Sequence, residues 1–140
     1  MHKLASFILA GLLALCIALP VQAEEEFAPG YNACWEKVTR AQDNAGCWGE
    51  AATYWDGVLN KNYKKALAFC DDTNQGENCK NAVRQAQLNW IKYKEAMMRA
   101  IPYIEGPAGV HMHDAAVAEF LARETKKQAK ALVERNFDPE

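Results

Sequence analysis

Residues 69–79 read FCDDTNQGENC, two cysteines that enclose eight residues without an apolar side chain. Such a pair is consistent with a metal site, a redox motif or a disulfide across a turn. A metal site needs about four closely spaced ligands and a catalytic dithiol is normally C-x-x-C, and neither pattern occurs here. The segment therefore predicts a disulfide between Cys70 and Cys79 that joins the end of one helix to the start of the next.

The segments on both sides of this loop have the periodicity of amphipathic helices. Apolar residues, Phe69 among them, recur every three or four positions over residues 46–72, and the same spacing continues over about 77–103 and over about 110–135. A shorter helix is predicted over about 31–42, and no stretch alternates with period two over a convincing length. We therefore predict an all-α fold: a small antiparallel bundle of three main helices and a short N-terminal helix, held by disulfides.

The first 23 residues, MHKLASFILAGLLALCIALPVQA, have the features of a secretory signal peptide. A basic start precedes a short apolar run, and Val21-Gln22-Ala23 predicts cleavage after Ala23. The run is shorter than a confident membrane span, so no integral membrane segment is expected after cleavage. Lipid attachment at Cys16 is the less favoured alternative, because Leu15 occupies a position where such sites have a small residue. We expect a flexible lead-in over 24–30 and a single domain over 31–136.

Export determines how the composition and the cysteines are interpreted. The mature chain has about 117 residues, enough for one modest core, and its 15 basic and 18 acidic residues give a net charge of about −3. This charge predicts neither nucleic-acid binding nor a basic patch for acidic membranes. Four cysteines in a periplasmic or secreted protein predict two disulfides, and nearness along the chain favours Cys34–Cys47 with Cys70–Cys79 among three possible pairings.

Several short motifs follow one another at a recognisable spacing. They are Cys34 and Cys47, then Asp56-Gly-Val-Leu59-Asn60 with Tyr63, then Ala86-Gln87 and Trp90-Ile-Lys-Tyr93-Lys94-Glu-Ala96. Together they resemble the lysozyme inhibitor LprI-like (N-terminal domain) family of exported bacterial proteins, over roughly residues 31–98. The resemblance implies a small exported helical protein that acts on a protein partner such as a lysozyme, and it brings no catalytic residues with it.

Polar residues within these motifs are interpreted as structural. Asp56, Asn60 and Tyr63 are neighbours on one helix, and we expect them to meet the second helix in a half-buried network that fixes the helix register. A polar patch for a partner is the alternative. The predicted structural residues are Asp56, Leu59, Asn60 and Tyr63 on the first long helix, and Gln87, Trp90 and Tyr93, with Lys94 beside them, on the second.

Aromatic and acidic residues provide the candidate contacts with a partner. Helical spacing predicts that Trp48, Trp55, Trp90 and Tyr93 lie in the core, rather than forming a sugar-stacking surface. Trp35 is the best candidate for an exposed aromatic. Asp71, Asp72 and Glu77 in the cysteine-bounded loop form a pre-organised acidic surface for a cationic partner, or else an ordinary solvated turn.

Catalysis and metal binding find little support in the sequence. No catalytic serine motif, zinc-binding H-E-x-x-H, phosphate loop or dinucleotide motif occurs. His111 and His113 are two residues apart, which points them in different directions on a helix, so we expect no metal site and no cofactor. Together with the resemblance to the LprI-like family, this predicts a non-enzymatic binding protein that occludes a protein partner. The alternative is a structural or accessory envelope protein, with an unknown partner or associated with peptidoglycan.

Overall fold

The computed structural model describes residues 25–106 and 110–133 of the chain, and the predicted signal peptide lies outside them. They form four α-helices: α1 (Tyr31–Trp35), α2 (Ala45–Asp71), α3 (Gly76–Ile104) and α4 (Val110–Ala131). A 3-10 helix at Ala41–Asn44 leads into α2. The described residues contain no β-strand, and the all-α prediction is confirmed.

Both predicted disulfides are present, and each closes a connection between consecutive helices. Cys34 of α1 bonds to Cys47 of α2, and Cys70 at the end of α2 bonds to Cys79 in α3. The Cα atoms are 5.6 Å and 5.4 Å apart, within the usual range for disulfides.

The tightest packing in the molecule joins α2 to α4 and relies on small side chains. The buried positions of α4 recur every three, four or seven residues, so they lie along one face of the helix. Alanines at such positions allow two helix backbones to approach closely. The fully or nearly buried residues of this face are Ala115, Ala122, Thr125 and Ala129, and on α2 they include Ala51, Ala52 and Leu59.

Contacts between helices give the direction of each. Gln128 of α4 donates to Gln87 of α3, and Phe120 contacts Tyr93, so α3 and α4 are antiparallel. The disulfide-linked hairpin makes α2 and α3 antiparallel as well. Because α3 is antiparallel to both of its neighbours, α2 and α4 run in the same direction.

Helix α3 is attached more sparsely than its neighbours. Its 29 residues include one buried residue, Ile101, and the rest of its inner face is only half-buried. The helix continues through Pro102 to Ile104, slightly further than predicted. Beyond it, the carbonyl of Gly106 is hydrogen-bonded to Nε2 of His113 at 3.0 Å, which connects the end of α3 to α4.

The segment before α1 differs from the expected flexible lead-in. Ala28 is 3% exposed, and Phe27 packs against the core cluster. Gly30 adopts a φ of 81°, a left-handed conformation that glycine accepts readily, and α1 starts directly after it. Helix α1 ends at Trp35, not near residue 42, since the chain has become extended by Arg40 before the 3-10 helix begins.

None of the helices in the described part of the chain is both long and apolar enough to cross a bilayer.

Candidate functional site

The hairpin between α2 and α3 is a rigid turn around a buried sulfur. Cys70 has no exposed surface, and its carbonyl accepts a hydrogen bond from Oγ1 of Thr73 at 2.9 Å. A Cβ atom at Gly76 would lie 3.1 Å from that same carbonyl, so a larger residue there would require the turn to shift slightly. The loop predicted to be acidic is therefore held in a defined conformation.

The carboxylates of this loop are partly neutralised by basic side chains at the start of α3. The ammonium group of Lys80 forms an ion pair with Asp71 and lies 4.0 Å from Glu77, which is also 4.0 Å from Arg84. Asp72 makes no ion pair with any residue in the described ranges. All three predicted acidic residues lie on one exposed hairpin, but Asp72 is the one whose charge is least compensated.

Phe69 adds an apolar group to the same surface. Its side chain is 69% exposed, although its place in the periodic pattern of α2 predicted an inward position. The prediction for Phe69 is wrong because Cys70, one residue later, is the buried residue at this end of α2. Phe69, Asp71, Asp72 and Glu77 together are called the hairpin surface below.

Trp35 is half-buried and packs against the core cluster, so the prediction of an exposed aromatic side chain is wrong. Its ring centroid lies 6.1 Å from that of Tyr31 and 6.4 Å from that of Trp48, and its Nε1 atom is buried. The Cys34–Cys47 disulfide brings α1 against the start of α2, which turns the adjacent tryptophan onto the core.

Trp35 is part of an aromatic cluster at the N-terminal end of α2. The predicted core position of Trp48 is confirmed at 4% exposure, whereas Trp55 is half-buried and donates from Nε1 to the carbonyl of Phe27 at 2.9 Å. Two cations of α4 lie over the rings: Arg123 is 4.9 Å from the centroid of Trp48, and Lys126 is 4.5 Å from that of Phe27. Such cation–π contacts stabilise partly buried sites by about 0.5–2 kcal/mol each.

Burial within the cluster also affects Tyr31. Loss of hydration raises the pKa of its phenol above the ordinary value, and this outweighs the lowering effects of the neighbouring Trp35 indole and of the charge on Arg123. Tyr31 therefore remains neutral over the physiological range of pH.

The predicted polar network between α2 and α3 does not form. Nδ2 of Asn60 donates to Asp56 at 3.0 Å, but both side chains are exposed on α2. Gln87 bonds to Gln128 of α4 instead, at 3.0 Å. Leu59 is buried as expected of a structural residue, and Tyr63 is half-buried.

A buried polar contact does exist, and the sequence interpretation missed it. Asn62 is 8% exposed, and its Nδ2 donates to the carbonyl of Ala129 at 2.9 Å, joining α2 to α4. Its position three residues after Leu59 on the apolar face is the signal that indicates burial.

The aromatic residues predicted on α3 have different environments. Trp90 is half-buried, and the ammonium of Lys94 lies 4.7 Å from its ring centroid. Tyr93 is 48% exposed, so the prediction that it lies in the core is wrong; it contacts the ring of Phe120 from outside.

A groove lies where α2, α3 and α4 meet away from the hairpin. Its volume is about 280 Å³. Small and apolar side chains line it, with one carboxylate and one ammonium. The lining residues are Gly49, Ala52, Thr53, Asp56, Lys94, Ala118, Leu121 and Thr125, and together they are called the three-helix groove.

Of the two histidines considered as metal ligands, only His113 has a described side chain. His113 is engaged with Gly106, and the side chain of His111 lies outside the described residues. Among the side chains that are described, no group of three or more histidine, cysteine, aspartate or glutamate residues is placed to hold an ion.

Comparison with known proteins identifies a family for the chain. The family model described as Lysozyme inhibitor LprI matches residues 33–132, a segment that contains both disulfides and all of α2, α3 and α4. No curated protein and no solved structure matches the chain significantly. The match covers well over half of the sequence, and the protein belongs to the LprI family of lysozyme inhibitors.

Proposed function

We propose that the protein is exported and inhibits a cationic protein of the lysozyme class by binding to it through the hairpin surface. Membership of the LprI family is the observation that carries this proposal. The two disulfides support export, because disulfides persist in oxidising compartments such as the periplasm or the extracellular space. Residues 1–23 would provide the signal.

The hairpin surface has the chemistry that such an interaction needs. It has three carboxylates against the ammonium of Lys80 and the guanidinium of Arg84, which lies 4.0 Å from Glu77, so the surface keeps a negative charge. Animal-type lysozymes are cationic, so the charges are complementary. Phe69 provides an apolar side chain of the kind that often contributes most of the binding energy at the centre of an interface. The Cys70–Cys79 disulfide holds the loop before binding, which reduces the entropy lost on association.

The test is the rate at which an animal-type lysozyme clears a suspension of bacterial cell walls, measured with and without the mature chain beginning at Glu24. We expect saturable inhibition. It should weaken about tenfold or more in Phe69→Ser and in Asp72→Asn, because a central interface residue contributes about 1–2 kcal/mol or more. Unchanged clearance at a large molar excess of the protein would eliminate the inhibitor assignment.

Matched controls are available on α3. Leu88 is an exposed apolar residue and Glu95 an exposed carboxylate, and both lie outside the hairpin surface. Leu88→Ser and Glu95→Gln should inhibit as the natural chain does. Sedimentation of the protein with purified cell wall in the absence of lysozyme distinguishes the alternative, a peptidoglycan-associated envelope protein, since an inhibitor should follow the enzyme and not the polymer.

A further inference from the structure

The three-helix groove contains two opposite charges, and neither has a charged partner of its own. Asp56 accepts a hydrogen bond from the neutral amide of Asn60, and Lys94 lies over the ring of Trp90. Neither residue forms an ion pair with any residue in ranges 25–106 and 110–133. Both nevertheless line one cavity, one from α2 and the other from α3.

The remaining walls of the groove are small. Ala52, Ala118 and Leu121 provide an apolar floor, and Thr53 and Thr125 add hydroxyl-bearing side chains. The volume of about 280 Å³ exceeds that of a small metabolite and is too small for a folded partner. A ligand with one charge would meet a favourable group on one side and a repulsive one on the other, whereas a ligand with both charges would be complementary to both.

We propose that the three-helix groove binds a small zwitterion, an α-amino acid with a short apolar side chain. Its carboxylate bonds to the ammonium of Lys94, its ammonium bonds to the carboxylate of Asp56, and its side chain lies on the alanine floor. Charge-assisted hydrogen bonds of this kind are about twice as strong as neutral ones. The site is separate from the hairpin surface, so it does not depend on the assignment as a lysozyme inhibitor.

Calorimetric titration of the mature protein with three probes tests the proposal without any mutation. Alanine has both charges, N-acetylalanine retains only the carboxylate and alaninamide only the ammonium. We expect alanine to bind at least about tenfold more tightly than either analogue. Each analogue loses one charge-assisted contact, and its remaining charge is repelled by the like charge in the groove. No binding of alanine, or equal binding of all three probes, would overturn the proposal.

Variants then locate the site. Asp56→Asn and Lys94→Gln should each weaken alanine binding about tenfold. Lys92→Gln removes an exposed cation two residues from Lys94, on a different side of the helix, and should bind normally. The fluorescence of Trp90 reports binding, because a ligand that contacts the ammonium of Lys94 changes the charge above the indole ring. Alanine should change tryptophan fluorescence in the natural chain but not in Trp90→Phe. A response that persists in Trp90→Phe, or normal binding in both charge variants, would place the ligand elsewhere and reject the inference.

Discussion

The pairing of α2 with α4 contrasts with the attachment of α3. Ala122 and Ala129 of α4 have no exposed surface, and Leu59 of α2 is 2% exposed, so this interface has the close packing of a protein interior. Helix α3 is the longest helix but buries only Ile101. It is attached to the bundle by a disulfide at one end, by a hydrogen bond from His113 to the carbonyl of Gly106 just beyond the other end, and by half-buried contacts between.

The contrast indicates a division of roles within a small domain. Regions with few buried apolar contacts open more easily than the core, and binding surfaces are drawn from them. Both proposed binding regions involve α3: the hairpin surface at its start and the three-helix groove along its inner face. The α2–α4 pair and the aromatic cluster would then provide the stable support.

Tryptophan substitutions test the contrast most strongly. Trp48→Ala removes a 4% exposed ring that contacts Phe27, Tyr31 and Trp35, and we expect it to lower the free energy of unfolding by about 3–5 kcal/mol. Trp90→Ala, on the half-buried face of α3, should cost about 1–2 kcal/mol. Chemical denaturation followed by circular dichroism measures both, and equal losses would show that α3 is no less important to stability than the α2–α4 pair.

Removal of each disulfide sharpens the comparison. The two bonds span 13 and 9 residues, so chain entropy alone predicts nearly equal losses of about 2–3 kcal/mol for Cys34→Ala with Cys47→Ala and for Cys70→Ala with Cys79→Ala. Their local effects should differ. Hydrogen exchange should accelerate across α3 when Cys70–Cys79 is removed, while α2 and α4 stay protected; uniform acceleration would contradict the idea that α3 opens separately.

The buried amide of α2 is a smaller test of the same interface. Asn62→Ala leaves the carbonyl of Ala129 without its donor, which should lower the free energy of unfolding by about 1–3 kcal/mol. Asn60→Ala, two residues earlier and exposed, should change it by less than about 0.5 kcal/mol. Thermal and chemical unfolding of the two variants gives the comparison, and a similar loss in both would mean that the Asn62 contact contributes little.

The smallest expected effect is a dependence on alkaline pH within the aromatic cluster. Because burial raises the pKa of Tyr31 in the folded state, the unfolded chain loses this proton first as the pH increases. The stability that the neutral phenol contributes is fully present below about pH 10, the ordinary tyrosine pKa, and is lost above it. The natural chain should therefore lose stability more steeply than Tyr31→Phe above that pH, and parallel pH profiles would contradict a buried phenol.

Helical periodicity and cysteine spacing predicted the fold well, for a physical reason. The three main helices repeat their apolar residues along one face, and the cysteines nearest in the chain lie at helix ends, so the local pattern and the fold agree. Periodicity also predicted that Trp48 and Leu59 are buried. These properties depend on a residue's own helix.

Properties that depend on which helices meet were predicted less well. Gln87 was assigned to a contact with α2 but bonds to α4, because the choice between two neighbouring helices is made by the tertiary packing. Trp35 was assigned to the surface and Phe27 to a flexible segment. Both pack against the core cluster instead, next to the Cys34–Cys47 disulfide and the aromatic rings of α2. Phe69 was assigned to the apolar face, where Cys70 lies instead. The partner contacts remain predictions.

The common direction of α2 and α4 explains why α3 is so long. Two parallel helices that follow each other in sequence need a connection that travels back over their full length, and 29 helical residues at 1.5 Å each cover about 43 Å. The span of this return path is thus set by geometry, whereas the chemistry of its outward side is not. An engineer who wished to graft a new recognition motif onto the scaffold would change that outward side and keep its length.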